Sequence, residues 1–238
     1  MTKHPKRIYC ALDTADLAVA GGLAGKLKDQ VAGLKLGLGF FAAHGPAGFR
    51  ELSGAGAPLF LDLKLHDIPN TVAGAMRSLA PLGPSMITLH CQGGGAMMRA
   101  GAEACAEAAD KAGRKPPLLL GVTVLTSLDE DDLSAMGVAG STADQVARLA
   151  DLAKSSGLDG VVCSPREIEL VRQTCGGDFL IVVPGIRPGG SPLGDQKRVM
   201  TPAEAIGAGA DFLVIGRPIT EAEDPAAAAA AINLEMGG

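Results

Sequence analysis

The chain has no tryptophan, one tyrosine and six phenylalanines in 238 residues. So few rings exclude the aromatic platforms on which single-stranded nucleic acids stack. An excess of positive charge is also missing. The 21 Lys and Arg against 26 Asp and Glu leave a net charge of -5, with no basic footprint for nucleic acid or an anionic membrane. No C-x-x-C pair occurs, and the cysteines (Cys10, Cys91, Cys105, Cys163 and Cys175) are odd in number. Neither a disulfide framework nor a zinc site is suggested, and small core thiols in a reducing compartment are expected. Long apolar runs are lacking too. After the basic MTKHPKR comes only IYCAL before Asp13, too short for a signal-peptide core or a bilayer span. The expectation is a soluble cytoplasmic protein.

What is present is a 47% hydrophobic chain, enough for a sizeable core. Short apolar runs recur at 8–12, 33–38, 59–63, 86–89, 118–124, 160–163, 180–183 and 212–215. Between them, 17–27, 71–80, 96–109, 142–155, 164–173 and 201–208 carry Ala, Leu and charge at helical spacing. Asp224-Pro225 supplies an N-cap and a first helical residue for a final helix. Near-continuous strands alternating with helices argue for a covered parallel sheet. Eight such units without a linker predict one (β/α)8 barrel domain spanning 1–238, with the doubly wound sheet as its rival.

A barrel gathers its functional residues at the C-terminal ends of its strands. Polar residues stand there: Asp13, Lys35, Asp62 with Lys64, His90, Thr123 with Thr126 and Ser127, Ser164, Arg187, and Gly216 with Arg217. The densest stretch is PLFLDLKLHDIPNTV, where a core strand suddenly carries Asp62, Lys64, His66 and Asp67. Residues two apart share a strand face, so Asp62 and Lys64 point one way and Leu61, Leu63 and Leu65 the other. Lys35 on the neighbouring strand can reach the same space, and Asp67 follows in a turn fixed by Pro69. A salt-bridge network closing the barrel explains any one pair. Four charges converging on one end favour chemistry. An ammonium flanked by carboxylates favours its charged form, which suits a proton donor and a stabiliser of a nascent carbanion. A neighbouring carboxylate repels an anionic substrate group. Loss of carbon dioxide is the reaction these properties fit.

FLDLKLHDIPNTV resembles the D-x-K-x-x-D segment of the orotidine 5′-phosphate decarboxylase family in its bacterial form. IYCALD, GLKLGLGFF, VTVLTS, LDGVVCS, VPGIRPGGSPLGDQKRVMTP and FLVIGRPIT resemble its other strand-end segments, in order. The resemblance implies a cofactor-free conversion of orotidine 5′-monophosphate to uridine 5′-monophosphate, without a metal. It implies Lys64 as proton donor, Asp62 beside the substrate carboxylate, Lys35 and Asp67 completing the network at the ribose, and Asp13 on a ribose hydroxyl. Thr126 and Ser127 match the segment that holds the pyrimidine. Asp67 and Thr71 are expected to reach the neighbouring subunit's site, which makes a homodimer the functional unit.

The Gly- and Pro-rich loop from Pro184 to Pro202 is long enough to suggest function. Its Arg187 and Gln196, with Gly216 and Arg217 after the last strand, are suited to a phosphate. GLGFFA formally matches a dinucleotide-binding G-x-G-x-x-A, but that reading leaves Lys35, Lys64 and Asp67 unused. Gly93-Gly94-Gly95 reads as a turn before a helix and 129–132 as a solvated helix start. His66 is expected in a hydrogen-bonding structural role and His90 as a satisfied polar residue, while His4 and His44 suggest nothing. Two rivals remain. Related magnesium-dependent sugar-phosphate enzymes share D-x-K-x-x-D but use an acid where Lys35 stands. A catalytically silent binding barrel has no need of crowded charge.

Overall fold

The structure is a computed structural model that describes residues 6–188 and 200–237. Its strands are β1 (Ile8–Leu12), β2 (Gly33–Gly37), β3 (Leu59–Leu65), β4 (Met86–His90), β5 (Leu118–Val122), β6 (Gly160–Val162), β7 (Leu180–Pro184) and β8 (Phe212–Ile215). Each pairs in parallel with the next, and β8 pairs with β1, so the sheet closes into a barrel. A doubly wound sheet would leave two edges, and closure rules it out. The helices are α1 (Leu17–Leu27), α2 (Leu38–Ser53), α3 (Pro69–Leu79), α4 (Gly94–Lys111), α5 (Glu130–Ala135), α6 (Thr142–Ser155), α7 (Ile168–Cys175), α8 (Pro202–Gly207), α9 (Arg217–Thr220) and α10 (Pro225–Met236). No described helix is long and apolar enough to cross a membrane.

Side chains with local reach set the helix starts. Asp16 accepts from the N–H groups of Ala18 and Val19 at 2.8 and 3.0 Å, and Asp224 does the same for Ala226 and Ala227. Helix α2 was not among the helices that the spacing suggests. It is two short helices joined at a kink, where Gly45 takes φ 55° ahead of Pro46. Proline has no N–H and clashes with the preceding turn, so a helix cannot run straight through it.

Strand alternation sorts the core into two layers. Ile8, Cys10, Leu12, Leu34, Leu36 and Leu61 pack outward in the main cluster beneath the helices. Tyr9, Phe60, Met86, Leu120 and Val182 form a second cluster inside the barrel. There the Tyr9 ring meets Phe60 and Phe212 edge-on, with centroids 5.7 and 5.4 Å apart. The same inward positions turn polar two residues further along: Lys35 follows Gly33, Asp62 follows Phe60 and Thr88 follows Met86. All five cysteines are free and buried, as expected. Burial pushes the Cys10 and Cys91 thiols up to about 12 and that of Cys105 up to about 11.

Gly33 makes room for the aromatic floor. A Cβ there would overlap the Tyr9 ring and stand 2.6 Å from the Pro58 carbonyl oxygen. Gly33→Ala is expected to destabilise the fold by about 1–3 kcal/mol, the range for overpacking. Urea denaturation reads it, and an unchanged midpoint would mean that the floor has space to spare.

Candidate active site

Lys35 rises from the middle of β2 into the barrel mouth and is only 8% exposed. Its Nζ lies 3.5 Å from Asp13 Oδ1 and 3.5 Å from Asp62 Oδ2. Lys64 Nζ donates to both oxygens of Asp62, each at 2.8 Å. The charges therefore alternate in a line: Asp13, Lys35, Asp62, Lys64. Asp62, 13% exposed, has an ammonium on either side, which is what burial demands of charge, whereas Asp13 is 70% exposed.

The end of β3 is not a regular strand. Leu61 pairs with Ile87 and Leu65 with Leu89, so Asp62, Leu63 and Lys64 together stand opposite Thr88 alone. Within this bulge Lys64 takes φ 51°, the only described non-glycine residue with positive φ. A left-handed backbone at a residue with a Cβ costs about 1–2 kcal/mol. The Lys64 N–H, turned off the ladder, donates to Thr88 Oγ1 at 2.9 Å, and that hydroxyl donates to Asp62 Oδ1 at 3.0 Å.

Burial opposes ionisation of Asp62. Lys35, then Lys64, then the hydrogen bonds from Lys64 and Thr88 outweigh it and hold the carboxyl below its ordinary value. The result is a fixed negative charge beside a fixed positive one.

These groups form one wall of a cavity of about 260 Å³. Val122, Val162 and Pro184 line it as well, from β5, β6 and β7, and none of them is charged. Thr126, Gly185, Arg187, Gly216 and Arg217 complete it. A second hollow of about 390 Å³ shares Asp13, Lys35, Asp62 and Lys64 and extends over Leu38 and Phe40. Ile186 bridges to Met200, and the Arg187 N–H donates to the Met200 carbonyl at 3.1 Å. The two ends of the long loop are thereby clasped at the mouth.

Most of the sequence-predicted residues meet here, and some do not. Asp67 does not join the network within its own chain. It is exposed, accepts the Ile68 N–H at 2.6 Å, and forms no ion pair among the described residues. The strand ends at Leu65, so Asp67 falls beyond the rim, and Asp13 supplies the fourth charge. Thr71 is exposed in the first turn of α3, outside the barrel. Ser127 is also exposed, and only its neighbour Thr126 lines the cavity. Gln196 and His4 lie outside the described residues.

His66 is exposed and lies against the ring of His90, with centroids 5.3 Å apart, in place of the expected hydrogen bond. Nor is His90 satisfied, since its buried Nδ1 has no partner among the described residues. Burial, then His66 and Lys64, lower its pKa, with Asp62 opposing. Thr123 ties β5 to β6 through the Val162 carbonyl at 3.0 Å. Sequence reasoning missed Thr88. Its signal was available, because Thr88 shares strand parity with Met86 and therefore faces inward in the apolar run MITLH.

Comparison with known proteins adds independent findings. Residues 6–232 match the model of the orotidine 5′-phosphate decarboxylase / HUMPS family. The chain is 56% identical over 230 residues to an orotidine 5′-phosphate decarboxylase of Paramagnetospirillum magneticum, covering 97% of this chain and 98% of that one. It is 55% identical over 239 residues to that of Rhodospirillum rubrum, covering 100% and 96%. The crystal structure of the Lactobacillus acidophilus orotidine 5′-phosphate decarboxylase superposes with a TM-score of 0.87 at 38% identity, covering 98% of this chain and 100% of that one.

The folded pKa of Asp62 lies below its ordinary 3.8. Its ionised form therefore adds stability that is complete above the unfolded value and lost as pH falls through the folded one. Below about pH 4, the wild type is expected to lose stability more steeply than Asp62→Asn. Urea midpoints measured against pH test this, and parallel slopes would show that the carboxylate gains nothing from its partners.

Proposed function

The chain belongs to the orotidine 5′-phosphate decarboxylase / HUMPS family, and on that premise we propose that Lys64 is the proton donor in conversion of orotidine 5′-monophosphate to uridine 5′-monophosphate and carbon dioxide. Decarboxylation in pyrimidine biosynthesis is the activity of the relatives at 56% and 55% identity, and the chain is an enzyme of that class. The observation that carries the mechanism is the Asp62–Lys64 pair on the cavity wall, bonded through both carboxylate oxygens at 2.8 Å.

The pyrimidine packs on the uncharged side formed by Val122, Val162 and Pro184, with Thr126 at its edge and Ser127 beyond. Its reacting carbon then faces the charged wall. The substrate carboxylate meets Asp62, and the two like charges repel. The carbon–carbon bond breaks with its electron pair left on C6, and carbon dioxide departs. The Lys64 ammonium stabilises that pair and gives it a proton, and solvent then reprotonates the amine. Electrostatic stabilisation by a fixed charge in a water-poor site is the larger contribution expected of such an arrangement. Asp13 and Lys35 hold ribose hydroxyls. Arg187, Gln196, Gly216 and Arg217 bind the phosphate, whose binding energy helps lower the barrier at the remote carbon.

Asp67 and Thr71 act in the site of a second copy. Two features support this: both side chains are exposed, and the second hollow, lined by Lys35 and Lys64, reaches the exposed Leu38. Leu38 and Ile68, 64% and 67% exposed, are large apolar side chains that such a contact would cover. Five buried free thiols support a reducing, cytoplasmic setting.

The magnesium-dependent sugar-phosphate reading is disfavoured by Lys35. Its ammonium stands 3.5 Å from both Asp13 and Asp62, where a cation would need those oxygens. A purely binding role leaves the strained Lys64 backbone without a use.

Ultraviolet-monitored turnover of orotidine 5′-monophosphate, with a chelator present, is expected to show conversion. No conversion by a folded dimer would move the assignment to the sugar-phosphate branch. Lys64→Ala should lower kcat by at least about 10²-fold without unfolding the protein, and substantial residual turnover would remove Lys64 from the donor role. Arg217→Ala should raise KM by about 10- to 100-fold, the loss of a hydrogen bond to a charged group. An equal effect on a substrate without phosphate would count against that assignment.

A further inference from the structure

We propose that Thr88 is a positioning residue for the decarboxylation, fixing both ends of Lys64 through one hydroxyl; the proposal rests on the catalytic reading of Lys64 and Asp62. Thr88 is wholly buried, at 0% exposure, on the inward face of β4 directly opposite the bulge. A hydroxyl has one proton to give and lone pairs to receive. Here the proton goes to Asp62 Oδ1 at 3.0 Å, and a lone pair receives the Lys64 N–H at 2.9 Å. The two bonds are compatible and together use the group fully.

They also close a ring. The hydroxyl holds the Lys64 backbone, the Lys64 ammonium holds Asp62, and Asp62 is held in turn by the hydroxyl. The tether matters because Lys64 is in a conformation it would otherwise leave. At φ 51° its backbone is strained, and its N–H has come off the ladder with β4. Without an acceptor, that part-buried N–H would be left unsatisfied or would draw the backbone back towards extended geometry. Such a return would swing the long side chain and shift Nζ from where carbon is protonated. Loss of the second bond would free Asp62 to rotate about its remaining contacts with Lys64 and Lys35.

Valine matches the shape of threonine but makes neither bond. Thr88→Val is expected to lower kcat by about 10²-fold, the scale for a displacement near 1 Å at a reacting centre. KM and affinity for uridine 5′-monophosphate should change little, because ribose and phosphate are bound by other residues. Thr88→Ser, which returns the hydroxyl, should restore most of the loss. These are measured in one series with wild type and Lys64→Ala, each checked for folding by circular dichroism. Should Thr88→Val fail to fold, Thr88→Ala replaces it. A folded hydroxyl-free variant with wild-type kcat would overturn the proposal, as would a loss that serine does not restore, which marks packing alone. Full activity in Lys64→Ala would instead overturn the catalytic reading, and the two failures are told apart by that control.

Discussion

Everything at the barrel mouth depends on Asp62 staying ionised although its side chain is only 13% exposed. Burial alone would favour the neutral acid, so the charge persists only while two ammonium groups and a hydroxyl face it. Those partners come from three adjacent strands. Lys35 comes from β2, Lys64 from two residues further along β3, and Thr88 from β4. They meet because the register sets Gly37 beside Asp62 and the bulge sets Thr88 opposite it. Without the closed sheet no local sequence would gather them. The electrostatics of the site are a property of the barrel rather than of a motif.

The barrel also separates the labour of its two ends. Inward positions at one end are filled by Tyr9, Phe60 and Phe212, with the Tyr9 ring meeting each of the other two edge-on. Two residues beyond the inward Gly33, Phe60 and Met86, the same strand faces carry Lys35, Asp62 and Thr88. A packed apolar floor excludes water from below, which strengthens each charge above it. Strain is concentrated in the same place, at Lys64, and held there by the ring of contacts with Thr88 and Asp62.

Strand periodicity and punctuation made the fold legible, since every predicted strand lies within a residue or two of its observed ends. Helix α2 was not legible, because Gly45 and Pro46 interrupt the helical pattern and the two short helices meet at a kink there. The pair Asp62 and Lys64 could be read from a spacing of two, and Lys35 from its neighbouring strand. Asp67, read as lying in the turn before Pro69, was still counted with the converging charges, because spacing along a chain does not say how far a turn carries a side chain from the mouth. Thr88 was passed over for the opposite reason: one hydroxyl in MITLH leaves no mark on hydropathy. The left-handed turn at Lys64 has no sequence signal, since it arises from a mismatch in length between two strands.

The chain has one tyrosine and no tryptophan, and that tyrosine is the 5%-exposed ring at the barrel floor. Its ultraviolet emission therefore comes from a single point inside the closed sheet, between Phe60 and Phe212. Most proteins average such a signal over many rings. Here it reports when β1, β3 and β8 come together around their common axis, and a refolding experiment would read barrel closure without any added label.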